Sequence, residues 1–402
     1  MSRIGEMFGW CTGERTSAGT RSGVRRKSAA ALAVASAAML VAACGSSSSG
    51  KVKAATSSSS PSAAPQHLTG VVVPTPLSWL TLFAKDAGFF SHNGLNVSLL
   101  TINTLPQAIA ALQSGAAQFG SGEDMVAAGL ILYKNIDMKT FAGQGKEWVV
   151  VVGAGSTPSP QFPQSIRAIA GNTIAITALG SEQQDTMEIV DEIAGLPATA
   201  MKYTAALSVA GEVSALESHR VSYAVIDGTG TERLIAAKFP FHFILDLRKP
   251  LAGPGASTAA GKLVNKIMGR PETVASGLSS WVDSHASAVK KLQLSFEETD
   301  CFVHDSANVA KLIGFVSKAG EMPAGLSATQ QQQYIEANLP ISYYPVSQWN
   351  TWYHLLRKIG VFTKPFSPES LYLSSTPQSP AQVYSNVTAA GGSCPAYAKY
   401  AK

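Results

Sequence analysis

Hydrophobic positions between residues 67 and 130 switch repeatedly between the two-residue period of strands and the helical period. The helical part after the second strand has apolar residues at i, i+3, i+4 and i+7, which is one buried face of a helix: Leu105, Ala108, Ile109 and Leu112. The β-branched and apolar runs predict three strands: His67–Val73, Leu95–Thr101 and Ala117–Gly120. The pattern of strand, loop and helix therefore predicts a parallel sheet flanked by helices.

The same pattern returns after a proline-rich stretch, Ser156–Pro163. Thr173–Thr177 predicts a strand and Glu182–Ala194 predicts a helix, and the strand Val221–Ile226 ends at Asp227. The repeat predicts an α/β fold of two lobes, each a mostly parallel sheet with helices on its faces. The carboxyl edges of such sheets bind ligands, so we expect a cleft between the lobes.

The last third of the chain is predicted to be mostly helical and to pack on lobe one. The acidic positions Asp185, Glu188, Asp191 and Glu192 recur at helical spacing and predict a solvated face. In the final helix, Trp349 and Trp352 form part of an apolar stripe that we interpret as core. The predicted helices are Leu263–Met268, Pro271–Lys290, Asn308–Lys318, Ser327–Asn338 and Ser347–Lys358.

The N-terminal segment has the order of a secretory leader. Basic residues precede the short apolar run Ala29–Ala43, which is too short to span a bilayer as a mature helix. Small residues then lead to Cys44, as in a bacterial lipoprotein signal, where this cysteine is acylated and becomes the mature N-terminus. A plain signal peptide remains the alternative. Arg25-Arg26 permits twin-arginine export, although the usual Phe-Leu after the pair is missing.

The stretch after Cys44 is rich in Ser, Ala and Pro and predicts a flexible tether, because it cannot bury enough apolar surface to fold. The predicted organisation is a signal peptide at 1–43, a tether at 44–66, the first part of lobe one at 67–155, lobe two at 156–247 and a helical part at 248–402.

Composition and motifs restrict the function. The 402 residues are 46% hydrophobic and 14% charged, enough to bury a large core. The net charge of +5 does not indicate nucleic-acid binding, since much of the excess lies in the leader. The sequence lacks G-x-S-x-G, H-E-x-x-H, paired C-x-x-C and Walker motifs, and its seven histidines have no ligand spacing. We therefore predict a protein that is not an enzyme and has neither cofactor nor metal.

Four stretches carry a family resemblance: AKDAGFFSHNGLNVSLL, ALQSGAAQFGSGED, ALGS and YAVIDGTG. Over Leu68–Val361 the chain resembles the solute-binding proteins of ABC importers, in the group that takes up sulfonates, nitrate or thiamine-pyrimidine precursors. The resemblance implies a periplasmic-binding-protein type II fold and a monomer that binds a small solute. It also implies a permease and an ATPase as partners, and a location on the extracytoplasmic face of a bacterial cell membrane. Fungal relatives of this fold that make the thiamine pyrimidine use a cysteine-rich motif, which this sequence lacks.

Polar residues at the ends of the predicted strands are the candidate ligand contacts. Exposed helix N-termini offer N–H groups to a polar ligand, and a tryptophan face can cover a ring. Each candidate also has a purely structural alternative, because hydroxyls and carboxylates at these positions can simply cap helices. The candidates are Ser78, Trp79, Thr104, Gly122, Glu123, Asp124, Ser181 and Asp227.

The charges of these loops favour one class of solute. None of the candidate loops carries a basic residue, and Lys146 is the nearest. An anion site usually supplies Arg or Lys, whereas buried carboxylates favour a protonated or amino-bearing ligand. We therefore expect a nitrogenous or ring-bearing solute, such as a thiamine-pyrimidine precursor, with a sulfonate- or nitrate-type anion as the alternative. An enzyme on this fold, or a sensing or scaffolding lipoprotein, remains open.

Two cysteines remain once the leader and the lipidated residue are set aside. Cys301 and Cys394 are expected to form a disulfide, since an unpaired couple outside the membrane tends to oxidise. Two free, distant thiols are the alternative.

Overall fold

A computed structural model describes residues 65–72, 76–102, 105–122, 137–146, 149–179, 181–267, 271–360 and 367–400. The predicted leader, the tether and Cys44 lie outside these residues. Strands β1 to β10 are Gln66–Val72, Leu95–Thr101, Phe119–Gly122, Met138–Lys146, Val150–Ala154, Thr173–Ile176, Lys202–Ala205, Tyr223–Ile226, Phe241–Asp246 and Pro271–Leu278.

The helices begin after β1 and dominate the last third of the chain. Helices α1 to α8 are Trp79–Asp86, Phe89–His92, Leu105–Gln113, Gln164–Ala168, Glu182–Ile193, Val209–Glu217, Gly228–Ala236 and Pro254–Ser257. Helices α9 to α15 are Ala259–Ile267, Ser279–Ser284, Ala286–Val303, Val309–Lys318, Ala328–Ala337, Val346–Lys358 and Pro380–Ala389. Short 3-10 helices are Pro76–Ser78, Ser306–Asn308, Pro368–Leu371 and Pro395–Tyr400.

The strands form two five-stranded sheets within one compact unit, Ser62–Lys402. The first has the order β2-β1-β3-β10-β4 and the second has the order β7-β6-β8-β5-β9. We call the elements around the first sheet lobe one and those around the second lobe two. The two-lobed α/β fold predicted from the sequence is confirmed.

Each sheet is mixed, not mostly parallel as expected. In lobe one, β1 pairs in parallel with β2 and β3, while β10 pairs antiparallel with β3 and β4. In lobe two, β6 pairs in parallel with β7 and β8, while β5 pairs antiparallel with β8 and β9. The antiparallel strand in each sheet is the first one after the chain crosses from the other lobe, so the crossovers produce the mixed pairing.

The crossovers explain two further corrections. Val150–Ala154 was expected in lobe one, within 67–155, but it pairs within the second sheet, so the chain changes lobes before Val150. Pro271–Leu278 was expected to begin a helix, but it is a strand inserted between β3 and β4. Val274 and Ala275 in this strand are fully buried, which is typical of a central strand covered on both faces.

The core lies on the faces of both sheets. Trp349 and Trp352 are 0% and 3% exposed and pack with Val71 and Val274, which confirms the core interpretation of the tryptophan stripe. Residue 70 in β1 must be glycine, because a Cβ there would lie 2.4 Å from the ring of Phe119.

Among the described residues, no helix is both long and apolar enough to cross a membrane.

Candidate functional site

A group of buried polar side chains lies at the carboxyl edge of the first sheet. Ser78 and Thr81 follow β1, Ser121 is near the end of β3, and Gln144 is near the end of β4; all four are 0% exposed. The hydroxyl of Ser78 donates to the carbonyl oxygen of Ser121 at 2.9 Å. The hydroxyl of Thr81 lies 2.8 Å from that of Ser121, and both lie 2.9 Å from Oε1 of Gln144. We call Ser78, Thr81, Ser121 and Gln144 the lobe-one polar group.

One hydrogen-bond donor of the lobe-one polar group has no acceptor among the described residues. Within the part of the chain that the structure describes, Nε2 of Gln144 is buried and has no hydrogen-bond partner. A buried amide donor without an acceptor costs about 1–3 kcal/mol, and proteins retain few such groups. The carboxyl edge of the first sheet therefore offers an N–H donor to an acceptor that the described residues do not supply.

The carboxyl edge of the second sheet carries acids instead. Asp227 follows β8 and caps α7, because its Oδ1 accepts from the backbone N–H of Gly230 at 2.7 Å and from the hydroxyl of Thr229 at 2.5 Å. Burial raises the pKa of Asp227, although these two bonds act in the opposite direction. Asp227 therefore caps a helix, which is the structural alternative considered for it. It also brings a partly desolvated carboxyl group to the site.

A second carboxyl group, that of Glu212, is close enough to Asp227 for the two to interact electrostatically. Glu212, in the first turns of α6, is 0% exposed. Burial raises the pKa of Glu212 to about 9; the side chain of Gln183 acts in the opposite direction, and the charge of Asp227 raises this pKa further. The neighbouring Gln183 accepts from the N–H of Thr177 at 2.6 Å and donates to the carbonyl oxygen of Val225 at 3.1 Å. Glu212 and Gln183 were not singled out from the sequence, since neither directly follows a strand.

The fold of the chain is similar to that of several solved structures. The chain superposes on the periplasmic aliphatic sulphonate binding protein SsuA of Escherichia coli with a TM-score of 0.59, at 15% identity over 79% of this chain and 94% of that one. For the periplasmic nitrate-binding protein NrtA of Synechocystis PCC 6803 the TM-score is 0.58, at 12% identity over 81% and 89%. A Candida albicans protein that exhibits the generic periplasmic binding protein fold gives 0.55, at 12% identity over 78% and 98%. No family model and no curated protein sequence matches the chain.

The chain has the periplasmic-binding-protein fold. In this fold the two polar groups described above lie at the carboxyl edges of the two sheets. Ser78 and Gly122, both predicted as candidates, lie on the lobe-one edge, and Ser181 and Asp227 lie on the lobe-two edge. Gly122 is buried and has φ = 147°, a conformation that a side chain would strain.

Ser181 departs from its expected capping role. It stands at the N-cap of α5, but its side chain accepts no capping bond. In the described part of this binding-protein fold its Oγ is buried without a partner. Ser181 thus resembles Gln144, because in each lobe a polar side-chain atom near the carboxyl edge is left without a partner among the described residues. On the lobe-two edge the two carboxyl oxygens of Glu212 are also buried without a partner.

Trp79, whose face was a candidate cover for a ring-bearing ligand, is only 1% exposed. Its Nε1–H donates to Oε2 of Glu321, and its ring meets that of Tyr334 edge-on at 5.6 Å. Burial raises the pKa of Glu321, and the bond from Trp79 lowers it. The segment between α12 and α13 therefore covers Trp79, a long-range contact that local sequence does not reveal.

A basic side chain does reach the lobe-two edge, although no candidate loop carries one. Arg248, just after β9, donates from Nε and Nη2 to the two oxygens of Asp246 at 2.9 and 3.0 Å. Burial raises the pKa of Asp246, but the bonds and charge of Arg248 outweigh it and hold this pKa below its usual value. The guanidinium is thus already paired with a carboxylate.

The remaining candidates, Thr104, Glu123 and Asp124, lie outside the described residues. Among the residues that are described, no group of three or more His, Cys, Asp or Glu side chains is arranged to hold a metal ion.

Proposed function

We propose that this chain is the extracytoplasmic solute-binding component of an ABC importer, which captures a small organic solute and delivers it to a permease. The observation that carries the proposal is the presence of unsatisfied buried polar atoms at both carboxyl edges, Gln144 Nε2 and Ser181 Oγ. Open α/β sheets bind ligands at this edge. A solute held between the lobes would satisfy both atoms.

The favoured solute is nitrogenous or ring-bearing, such as a thiamine-pyrimidine precursor. Gln144 offers a donor, which suits a ring nitrogen or carbonyl oxygen, while the opposite edge carries two carboxyl groups, Asp227 and Glu212. Glu212, whose pKa is raised to about 9, is neutral at pH 7, so Asp227 is the carboxyl group of the pair that would meet a cation. The paired state of Arg248 supports the same choice, since an anion would have to compete with Asp246 for it. A protonated amine beside Asp227 would compensate a carboxylate that burial disfavours.

An anion remains the second candidate. Two of the similar structures are described as binding aliphatic sulphonate and nitrate. The amide of Gln144 and the hydroxyl of Ser181 are donors that an anion could also use. An enzyme on this fold is the third, and turnover of a bound solute would reveal it.

The proposed location follows from the leader. Acylation of Cys44 after removal of 1–43 would anchor the protein on the extracytoplasmic face, and 45–66 would let the lobes reach solutes and the permease. Metabolic labelling with a fatty acid tests this, since a Cys44→Ser variant should lose the label. Label retained by that variant would contradict the anchor.

A thermal-shift panel tests the solute class. A ligand present at 100 times its Kd adds about 2.7 kcal/mol to the free energy of unfolding. We expect stabilisation by an aminopyrimidine or a related amine and none by taurine, alkylsulfonates or nitrate. The reverse result would make the protein an anion receptor, and hydrolysis or modification of the stabilising compound would make it an enzyme.

Two glutamines provide a matched pair for the same assay. Gln144→Leu should abolish the shift caused by the cognate solute. Gln293 is also buried in lobe one, but its amide already donates to the carbonyl oxygen of Phe141 at 2.8 Å. Gln293→Leu should therefore lower the melting temperature yet keep the ligand shift; an unchanged shift in Gln144→Leu would remove Gln144 from the site.

A further inference from the structure

Lobe one contains a cavity of about 790 Å³ that is separate from its carboxyl edge. Three parts of the chain form the walls: 87–92 around α2, 298–308 at the end of α11 and beyond it, and 391–395 after α15. Residues 87–92 precede β2, whose first residue pairs with Gln66 at the start of β1. The cavity therefore lies at the amino edge of the first sheet, on the opposite side from the lobe-one polar group.

The wall formed by 391–395 is covalently fixed. Cys394 in this wall is bonded to Cys301 of α11, and Cys301 itself lines the cavity. A site that is already formed loses less conformational entropy when a ligand binds. The volume also lies within the range of about 300–1,000 Å³ that is typical of sites for small molecules.

Glu298 brings a carboxylate to the cavity. Its side chain is 7% exposed, and its Oε2 accepts from Nδ2 of Asn93 at 2.7 Å. Among the described residues, the partner of its Oε1 is Nε2 of His92 at 3.6 Å, which is longer than a hydrogen bond. A Cβ on Gly392 would lie 3.6 Å from the same oxygen, so Oε1 is next to two residues that line the cavity.

This carboxylate favours a cationic ligand. Burial raises the pKa of Glu298, although the hydrogen bond from Asn93 and the charge of His92 act in the opposite direction. A cation next to Oε1 would stabilise the ionised form. Asp305 adds a second carboxyl group to the wall, and its Oδ1 accepts from the backbone N–H of Ala307 at 3.0 Å.

Two phenylalanines supply an apolar wall beside the carboxylate. The rings of Phe89 and Phe302 meet edge to face with their centres 5.7 Å apart, and both residues line the cavity. The Nζ of Lys311 lies 5.6 Å from the centre of the Phe302 ring and 3.4 Å from Oδ1 of Asn308. An ammonium group is thus already attracted to this ring, as expected for a cation over an aromatic face.

We propose that this cavity is a second ligand site, which binds a protonated primary amine with an aromatic or alkyl body. The ammonium group donates to Oε1 of Glu298, and the apolar body packs against Phe89 and Phe302. A hydrogen bond between charged groups is stronger than one between neutral groups, so the charge of the ligand determines its affinity. The site does not depend on the proposed function, because its residues lie at the other edge of the sheet.

Isothermal titration calorimetry with 2-phenylethylamine tests the site. The full chain with its disulfide intact carries Gln144→Leu, so that the carboxyl edge of lobe one lacks its donor. We expect a single amine to bind per molecule. 2-Phenylethanol, which has the same body without the charge, should bind about tenfold more weakly or not at all. No binding of the amine, or equal binding of the alcohol, would overturn the proposal.

Two glutamates provide matched variants in the same background. Glu298→Gln should weaken binding of 2-phenylethylamine about tenfold or more, because the new amide keeps an acceptor for Asn93 but loses the charge. Glu336 is exposed, lies outside the cavity and also accepts from an amide, Nε2 of Gln332 at 2.7 Å. Glu336→Gln should therefore bind the amine as before. Unchanged affinity in Glu298→Gln would overturn the site.

A blocking variant keeps the test decisive if Glu298→Gln fails to fold. Ser393 is exposed and lines the cavity, so Ser393→Trp should fill the cavity without removing a buried contact. We expect loss of amine binding at an unchanged melting temperature; binding retained by this variant would place the amine elsewhere and overturn the site. Failure of every solute in the thermal-shift panel would count against the proposed function and leave these titrations standing.

Discussion

The hydroxyl of Tyr397 donates to Oδ1 of Asp300 at 2.7 Å, which ties the C-terminal tail to the last turn of α11. Asp300 is 0% exposed and also accepts from the backbone N–H and hydroxyl of Ser342 at 2.7 and 2.8 Å. His304 approaches the same carboxylate at 2.9 Å. One buried carboxylate therefore holds three separate parts of the chain.

Removing the Tyr397 hydroxyl should destabilise the fold in a pH-dependent way. Burial raises the pKa of Asp300, but the bonds from His304, Ser342 and Tyr397 outweigh it and hold this pKa below its usual value. A carboxyl group with a lowered pKa stabilises the protein above its unfolded pKa of roughly 4, and this contribution is lost as the pH falls through the folded pKa.

Tyr397→Phe should thus lower the free energy of unfolding by about 2 kcal/mol at neutral pH, with the difference shrinking in acid. Urea unfolding at several pH values measures it. Tyr400→Phe is the control, because Tyr400 is 40% exposed and should tolerate the change. Equal losses for both variants would contradict the role of the hydroxyl.

The disulfide lies beside this network. Cys301 and Cys394 are bonded, with their Cα atoms 4.9 Å apart, and both are buried. In the chain-entropy model, a loop of this length contributes roughly 4 kcal/mol, which is an upper figure. Denatured, unreduced protein should show no reactive thiol from this pair, and the Cys301→Ser/Cys394→Ser variant should unfold at lower urea. Two reactive thiols would show that the bridge does not form.

Asp191 should make the protein less stable as the pH rises. It is 0% exposed, and within the described chain neither of its oxygens has a hydrogen-bond partner. Burial, followed by the charge of Glu188, raises the pKa of Asp191 to about 8. The folded state therefore holds a proton that the unfolded state releases, so stability falls between about pH 4 and pH 8.

Asp191→Asn should remove that dependence. Its free energy of unfolding relative to wild type should rise by about 1.4 kcal/mol per pH unit across the middle of this range. Asp86→Asn, at an exposed position of α1, serves as control and should follow the wild-type curve. Parallel curves for wild type and Asp191→Asn would mean that Asp191 is ionised in the folded protein.

Local pattern was sufficient for much of the architecture. The second-lobe elements β6, α5 and β8 lie within two residues of the predicted bounds, because their apolar periods are clear and Ser181 and Asp227 mark the following helix starts. Asp191 shows the limit of the same reasoning. Its helical spacing with Glu188 predicted a solvated face, whereas the structure buries it, since periodicity reports regular structure and not which face a neighbouring element covers.

Long-range contacts explain the other errors. Pro271–Leu278 was assigned to a helix because no local signal shows that β3 and β4 leave room for a central strand. Gln144 was missed because its importance depends on Thr81 and Ser121, which reach it only in the folded protein. Half of the predicted ligand contacts lie on the two carboxyl edges, and their contact with a solute stays a prediction.

Trp79 allows a last test that separates packing from ligand binding. Its Nε1–H is the donor to Glu321, whose other oxygen is buried and without a partner among the described residues. Trp79→Phe keeps an aromatic ring against Tyr334 but leaves the carboxylate of Glu321 without its donor. We expect a loss of about 1.5–3 kcal/mol in the free energy of unfolding, the range for a hydrogen bond to a charged group.

The double variant Trp79→Phe/Glu321→Leu should recover part of this loss, because replacing both partners by apolar groups removes the desolvated carboxylate. Chemical denaturation of the wild type, both single variants and the double variant gives the coupling energy between the two residues. Two results together would assign Trp79 to the ligand site: the stability losses of the two single variants add in the double variant, and Trp79→Phe lowers solute affinity without lowering stability. If the double variant loses less stability than the sum of the two single losses, and Trp79→Phe still binds the solute, Trp79 holds the segment between α12 and α13 in place.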